Sequence, residues 1–101
     1  YNIAGPEVEA SLMQHPAVQD CAVIGVPDDK WGEAVKACVQ LKPGAAADAT
    51  TLIDWCKTRI GSMKEPKSVD FVDNLPRSPV GKVLKRDLRA PYWADRTRGV
   101  G

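Results

Sequence analysis

Val18-Gln19-Asp20-Cys21-Ala22-Val23-Ile24-Gly25-Val26, then Pro27-Asp28-Asp29-Lys30, then Val35-Lys36-Ala37-Cys38-Val39-Gln40-Leu41-Lys42 is the stretch that decides the fold. The first segment is rich in β-branched and small apolar residues and reads as a strand. The second is a turn by composition. In the third, Val35, Ala37, Val39 and Leu41 alternate with Lys36, Cys38, Gln40 and Lys42, the period of a half-buried strand with one wetter face. The two strands are predicted to pair antiparallel across the loop that holds Trp31-Gly32-Glu33.

Upstream, Gly5-Pro6 reads as a helix start, because proline is preset for a first helical turn. Glu7 and Glu9 suit the positive end of the helix dipole. Val8, Leu12 and Met13 form its apolar stripe, and Pro16 makes His15 a stop. Downstream, Pro43-Gly44 closes the second strand, and the alanine-rich stretch to Ala49 reads as a loop. Asp48 is placed to cap a second helix carrying Leu52, Ile53, Trp55, Cys56 and Ile60, with Trp55 in the core and Gly61 at the end. Val69, Phe71 and Val72 mark a third strand. Leu84 and Leu88 sit at helical spacing, and Pro91 is expected to stop that segment. The pattern predicts an α+β fold over residues 1–93: a small three-stranded, mainly antiparallel sheet with packed helices, followed by a polar tail over 94–101.

At 101 residues the chain buries one modest core, about two-thirds of its unfolded surface. Fourteen basic residues against 13 acidic ones give a net charge of +1, which disfavours a general nucleic-acid binder. No apolar run approaches the ~18 residues of a membrane span. The chain opens on Tyr1, not Met, and reads as a processed product or a piece of something longer. Cys21, Cys38 and Cys56 are widely spaced among apolar neighbours, which points to buried reduced thiols in a cytoplasmic protein. His15 is the one histidine, so no metal site and no Ser-His-Asp triad is expected.

The chemistry centres on Pro76-Arg77-Ser78-Pro79-Val80-Gly81-Lys82. Gly81 leaves room for close approach, the prolines restrict the loop, and Lys82 is mounted behind them as a point charge for a phosphate or carboxylate. From the residues alone, a solvated turn lysine is the commoner state of such a residue. The run is not a phosphate-binding P-loop, since it lacks the first glycine and Val83 follows Lys82. Trp31 can cover a ligand or fold back onto the core. Trp93 can pack on this domain or on another. Lys64, Lys67, Arg77, Lys82, Lys85, Arg86 and Arg89 make the last third locally basic. They read either as a solvated surface offset by Glu65, Asp70, Asp73 and Asp87 or as a patch for a nucleotide or coenzyme A.

The order of motifs resembles the C-terminal domain of the acyl-adenylate-forming enzymes, most closely the acyl-CoA synthetases and fatty-acid-CoA ligases. The resemblance runs through Tyr1-Asn2-Ile3, Pro6-Glu7-Val8-Glu9, His15-Pro16-Ala17-Val18 and Ala22-Val23-Ile24-Gly25-Val26-Pro27-Asp28. It continues through Trp31-Gly32-Glu33-Ala34-Val35-Lys36-Ala37, Leu41-Lys42-Pro43-Gly44, Lys64-Glu65-Pro66-Lys67 and Leu75-Pro76-Arg77-Ser78-Pro79-Val80-Gly81-Lys82. It covers nearly the whole chain in order, and it reverses the bland reading of Lys82.

What the resemblance implies is a small lid that works with an N-terminal adenylation domain absent from this chain. ATP and coenzyme A would be substrates of the parent with a fatty or aromatic carboxylic acid, and Mg2+ would be held by the absent domain. None of these would be bound by this chain alone, which would be inactive in isolation. Lys82, carried beside Gly81, would bridge the acid's carboxylate and the α-phosphate. After the lid rotates, Tyr1, Asn2, Trp31, Gly32 and Lys67 would face coenzyme A. Glu65 stands where some relatives have an arginine, which removes a phosphate contact there. A lysine acetyltransferase acting on Lys82 is a further expected partner. The rival readings are the lid of a peptide-synthetase adenylation domain and a non-catalytic interaction module of the same fold.

Overall fold

Two β-rich segments with a turn between them form a long antiparallel ladder. β1 (Val18–Asp28) pairs with β2 (Gly32–Leu41) in a register that runs from Val18↔Leu41 to Asp28↔Gly32. The computed structural model describes residues 5–30, 32–61 and 64–100, with side chains as far as 94. α1 (Gly5–Met13) precedes the ladder, and α2 (Ala49–Ile60), β3 (Ser68–Phe71) and α3 (Lys85–Val100) follow it. β3 joins the other side of β2 in parallel, Lys36↔Ser68 to Val39↔Phe71. A parallel neighbour needs a crossover, and α2 supplies it. The sheet order is therefore β1-β2-β3, antiparallel along its long ladder and parallel along its short one.

Helices cover both faces. On one face α1 and α2 close over Val18, Cys21, Val23, Ala37, Val39 and Val69 with Val8, Leu12, Leu52 and Cys56. On the other, Leu75 and Leu88 close over Ala22, Ile24, Val26 and Cys38, joined by Val72, Val83 and Tyr92. This corrects the expectation of a wetter face on β2. Cys38 is fully buried, and the Lys36 side chain is only 13% exposed and paired with Asp70 at 3.0 Å. The alternation is real, but the polar side is covered: Tyr92 of α3 reaches Lys36, and Cys38 packs with Leu75 and Leu88.

Each helix has a local cause and a tertiary one. The Asp48 carboxylate accepts from the Thr51 N–H at 2.8 Å, which caps α2 and holds the Asp48 carboxyl below its ordinary range. α1 ends at Met13, two residues before the expected stop, and the turn after it is closed by His15. Its buried stripe is Val8, Ser11 and Leu12, at i, i+3 and i+4, which leaves Met13 exposed. Trp55 is half-buried instead of in the core. Its indole donates to the Ser11 carbonyl at 2.8 Å, and the Arg59 guanidinium stacks over it at 3.6 Å.

The stop expected at Pro91 is absent: α3 runs straight through it, and through the 93/94 boundary, to Val100. An interior proline loses one helical bond and costs about 3 kcal/mol. Contacts on both sides of it hold the helix down. Leu88 is buried before it, and after it Tyr92 donates to Asp70 and the Trp93 indole donates to the Gly25 carbonyl at 2.9 Å.

Candidate functional site

Ser78-Pro79-Val80-Gly81 has the residue preferences of a tight turn: serine first, proline second, glycine fourth. The Gly81 N–H closes it on the Ser78 carbonyl at 2.8 Å, and the Ser78 N–H donates to the Lys82 carbonyl at 2.8 Å. Arg77 and Val83 face each other across an isolated antiparallel bridge, and the Leu84 N–H donates to the Pro76 carbonyl at 2.8 Å. Gly81 takes φ +90°, a conformation that side chains resist, so glycine is required there by the backbone. The result is a small hairpin whose tip, Val80, is 88% exposed.

Lys82 leaves this hairpin with its backbone held and its side chain in solvent. Its N–H donates to the Ser78 hydroxyl at 3.3 Å. Four cations of the basic last third are already paired with acids. Lys64 pairs with Glu7 at 3.4 Å, Arg77 with Asp20, Lys85 with Glu9 at 2.7 Å and Arg89 with Glu33 at 3.8 Å. Among the described residues, Lys67, Lys82 and Arg86 have no ion pair. The acids of these four pairs are not sequence neighbours of the cations. They come from α1 and the ladder, far upstream in the chain.

The other expected contacts lie elsewhere. Gly32 opens β2 at φ +82° and is exposed. The Lys67 N–H donates to the Val35 carbonyl at 2.9 Å, which sets Lys67 near the same end of the sheet with its side chain exposed. Pro66 beside it is buried. Tyr1, Asn2 and Trp31 lie outside the described residues. The Lys82 hairpin is tied to Asp20, whose strand partner is Gln40, at the opposite end of the ladder. From Asp20 to Asp28, β1 spans about 27 Å of extended chain. The structure therefore does not bring the two sets of residues together: Lys82 stands at one end, Gly32 and Lys67 at the other. No group of three or more His, Cys, Asp or Glu able to hold a metal occurs among the described residues. No described helix is long and apolar enough to cross a membrane.

Residues 7–82, which hold both ends of the sheet and the whole Lys82 turn, match the family model of the AMP-binding enzyme C-terminal domain. The chain belongs to this family. As an AMP-binding C-terminal domain it is 48% identical over 91 residues to a feruloyl-CoA synthase from an Amycolatopsis species, covering 90% of this chain and 18% of that protein. It is 38% identical over 99 residues to the fatty acid–[acyl-carrier-protein] ligase ScoC of Streptomyces coeruleorubidus, covering 98% and 19%. Its fold superposes on the crystal structure of a Brucella canis acyl-CoA synthetase with a TM-score of 0.84 at 37% identity, covering 91% and 18%. The chain thus spans less than a fifth of the length of these relatives.

The resemblance points to Lys82 and assigns no role to Arg77 or Asp20. In sequence Arg77 reads as part of the Pro76–Lys82 run and of the basic last third, and Asp20 only as a strand residue. The Ser-Pro-x-Gly signature was present and marks the turn. Nothing local marks Asp20 as the partner of Arg77, because the two meet only when the hairpin folds back over β1.

Proposed function

We propose that this chain is the C-terminal lid of an ATP-dependent acyl-CoA synthetase acting on an aromatic or fatty carboxylic acid. The observation that carries the reading is Lys82: an exposed ammonium, without an ion pair among the described residues, on a hairpin whose backbone is tied down. In adenylation a carboxylate oxygen bonds to the α-phosphorus of ATP while the bond to the β-phosphate oxygen breaks and pyrophosphate leaves. Two anions must approach, and charge builds on the oxygens around the α-phosphorus. An ammonium placed between carboxylate and α-phosphate lowers that repulsion most where charge builds. In the second half-reaction the coenzyme A thiolate attacks the acyl carbon and AMP leaves.

A lid serves both steps if it presents different surfaces in turn. The distance between the Lys82 hairpin and the Gly32/Lys67 end of the sheet supports this, since one rigid domain can then offer the lysine in one orientation and the coenzyme surface in another. In this reading Tyr1, Asn2 and Trp31 also contact coenzyme A in the second half-reaction. The N-terminal adenylation domain is the partner, Mg2+ is held outside this chain, and the enzyme works in the cytoplasm. The isolated 101-residue chain makes no thioester.

The test is Lys82→Ala in the full-length parent, with pyrophosphate release and thioester formation from supplied acyl-adenylate assayed separately. The first falls about 100-fold or more and the second survives; survival of both sinks the reading. A panel of acids in the wild-type enzyme names the substrate. Acetylation of Lys82 removes the same charge and silences the same step; acetylated parent carrying its label elsewhere, with activity unchanged, refutes that part. A carrier-protein thiol as acceptor is the second reading, favoured by the likeness to the acyl-carrier-protein ligase. Competition between coenzyme A and a phosphopantetheinylated carrier decides it.

A further inference from the structure

Lys82 is held through the peptide on its N-terminal side. The Arg77 Nη1 donates to the Gly81 carbonyl at 2.8 Å, and that carbonyl belongs to the peptide joining Gly81 to Lys82. The other guanidinium nitrogen, Nη2, pairs with the Asp20 Oδ2. The remaining Asp20 oxygen, Oδ1, accepts from the Cys21 N–H at 2.8 Å, so the carboxylate is fixed to its own strand. A continuous path of hydrogen bonds therefore runs from the β1 backbone to the lysine's peptide. Only arginine suits it, because its rigid fork reaches two acceptors at once, whereas a lysine ammonium is a single point.

β1 is shaped to supply the anchor. Its register shifts between Val18 and Asp20. Val18 is buried with α1 and α2, while Ala22, Ile24 and Val26 pack on the opposite face. Strict alternation would put Val18 on the same face as those three. The bulge separates Val18 from Asp20, so Val18 completes one core while Asp20 meets the hairpin on the other side.

We infer that Arg77, anchored by Asp20, is a positioning residue for Lys82: it fixes the lysine's peptide to the rigid sheet while the ammonium stays free to enter a cleft. The inference rests on the adenylation role of Lys82 proposed above. A charge that acts only in the transition state must be aimed before the reaction, and a small misplacement is costly. The second half-reaction uses the other end of the sheet and does not depend on this aim.

The experiment uses the full-length enzyme with Arg77→Lys, Asp20→Asn, Lys82→Ala and the double variant Arg77→Lys/Lys82→Ala. Adenylation kcat and the KM for the acid, thioester formation from supplied acyl-adenylate, and the thermal midpoint are measured. Arg77→Lys and Asp20→Asn lower adenylation kcat about tenfold, leave KM and the thioester step within about twofold, and Arg77→Lys has no further effect on the residual rate once Lys82 is gone. Unchanged adenylation in both variants, with Lys82→Ala inactive in that step, overturns the inference alone. Equal losses in both half-reactions that track a lowered thermal midpoint also overturn it, since they mark a merely structural pair. Adenylation that survives Lys82→Ala overturns the role of the lysine and the inference with it.

Discussion

The Tyr92 hydroxyl donates to the Asp70 Oδ2 at 2.5 Å, and this bond joins α3, just past its proline, to the edge strand β3. Lys36 reaches the other Asp70 oxygen at 3.0 Å and lies 5.3 Å from the Tyr92 ring centre, so three elements meet at one carboxylate. The group explains why a helix with an interior proline stays continuous.

Its pH dependence follows from the two shifts. The hydrogen bond from Tyr92 holds the Asp70 carboxyl below its ordinary range, against burial, with help from Lys36. A depressed carboxyl contributes stability above its unfolded value, about pH 3.9, and loses it as pH falls toward the folded one. Burial first, and the bond to Asp70 second, push the Tyr92 phenol up. A raised phenol contributes stability that is complete below its unfolded value, about pH 10, and declines as pH rises above that. Tyr92→Phe lowers stability near neutrality by about 1 kcal/mol, discounted because Asp70 is partly exposed. It also flattens both limbs of a denaturation series run from pH 3 to 11. Superimposable profiles for the two proteins would contradict this account.

Gly81→Ala tests the hairpin's backbone. An added methyl meets nothing within 4 Å, so the change acts through φ +90° alone. It costs about 1–2 kcal/mol of local strain, and under the adenylation role proposed for Lys82 it slows that step in the full-length protein by more than the lost thermal stability accounts for. Gly81→Asn, which tolerates positive φ better, recovers part of the rate. An alanine variant with wild-type adenylation kinetics would show that the turn has no need of glycine.

The three cysteines are free and buried. Burial, with the Glu9 charge next, pushes the Cys21 thiol up to about 12, and burial also raises Cys38 and Cys56. A thiolate is the reactive form, so at pH 8 a disulfide reagent labels the folded chain slowly and the denatured chain at once. Rapid labelling of any one cysteine under native conditions would place that thiol at an opening the fold does not have.

Leu52 is fully buried between α2 and the sheet, in the same cluster as Leu12 and Val39. Leu52→Ala removes about 3 kcal/mol of stability. Thr50→Ala, at an exposed position of the same helix, stays within about 0.5 kcal/mol. Equal midpoints in urea for the two variants would show that α2 is not packed as described.

Much was legible because it is local. The alternation of Val35, Ala37, Val39 and Leu41 marks β2, the Asp48 cap marks the start of α2, and the run from Leu75 to Lys82 marks the hairpin and its family. These features depend on residues within a few positions of one another, where side-chain period and turn chemistry act directly. The same limit explains the misreadings. Pro91 reads as a stop because the costs of an interior proline are local, while Tyr92–Asp70 and Trp93–Gly25 are not.

From the sequence alone come the element types, the burial of the cysteines and the family motif that ends on Lys82. The tertiary structure decided that β3 enters in parallel and that Tyr92 of α3 reaches over Lys36 on β2. It decided that Glu7, Glu9, Asp20 and Glu33 pair with four cations of the basic third while Lys82, among the described residues, has no ion pair, and that Arg77 spans from Asp20 to Gly81. The physical reason is the range of the forces. Backbone propensity is set by near neighbours. Ion pairing and packing are set by whichever groups the closed sheet and its helices bring within a few ångströms, whatever their distance along the chain.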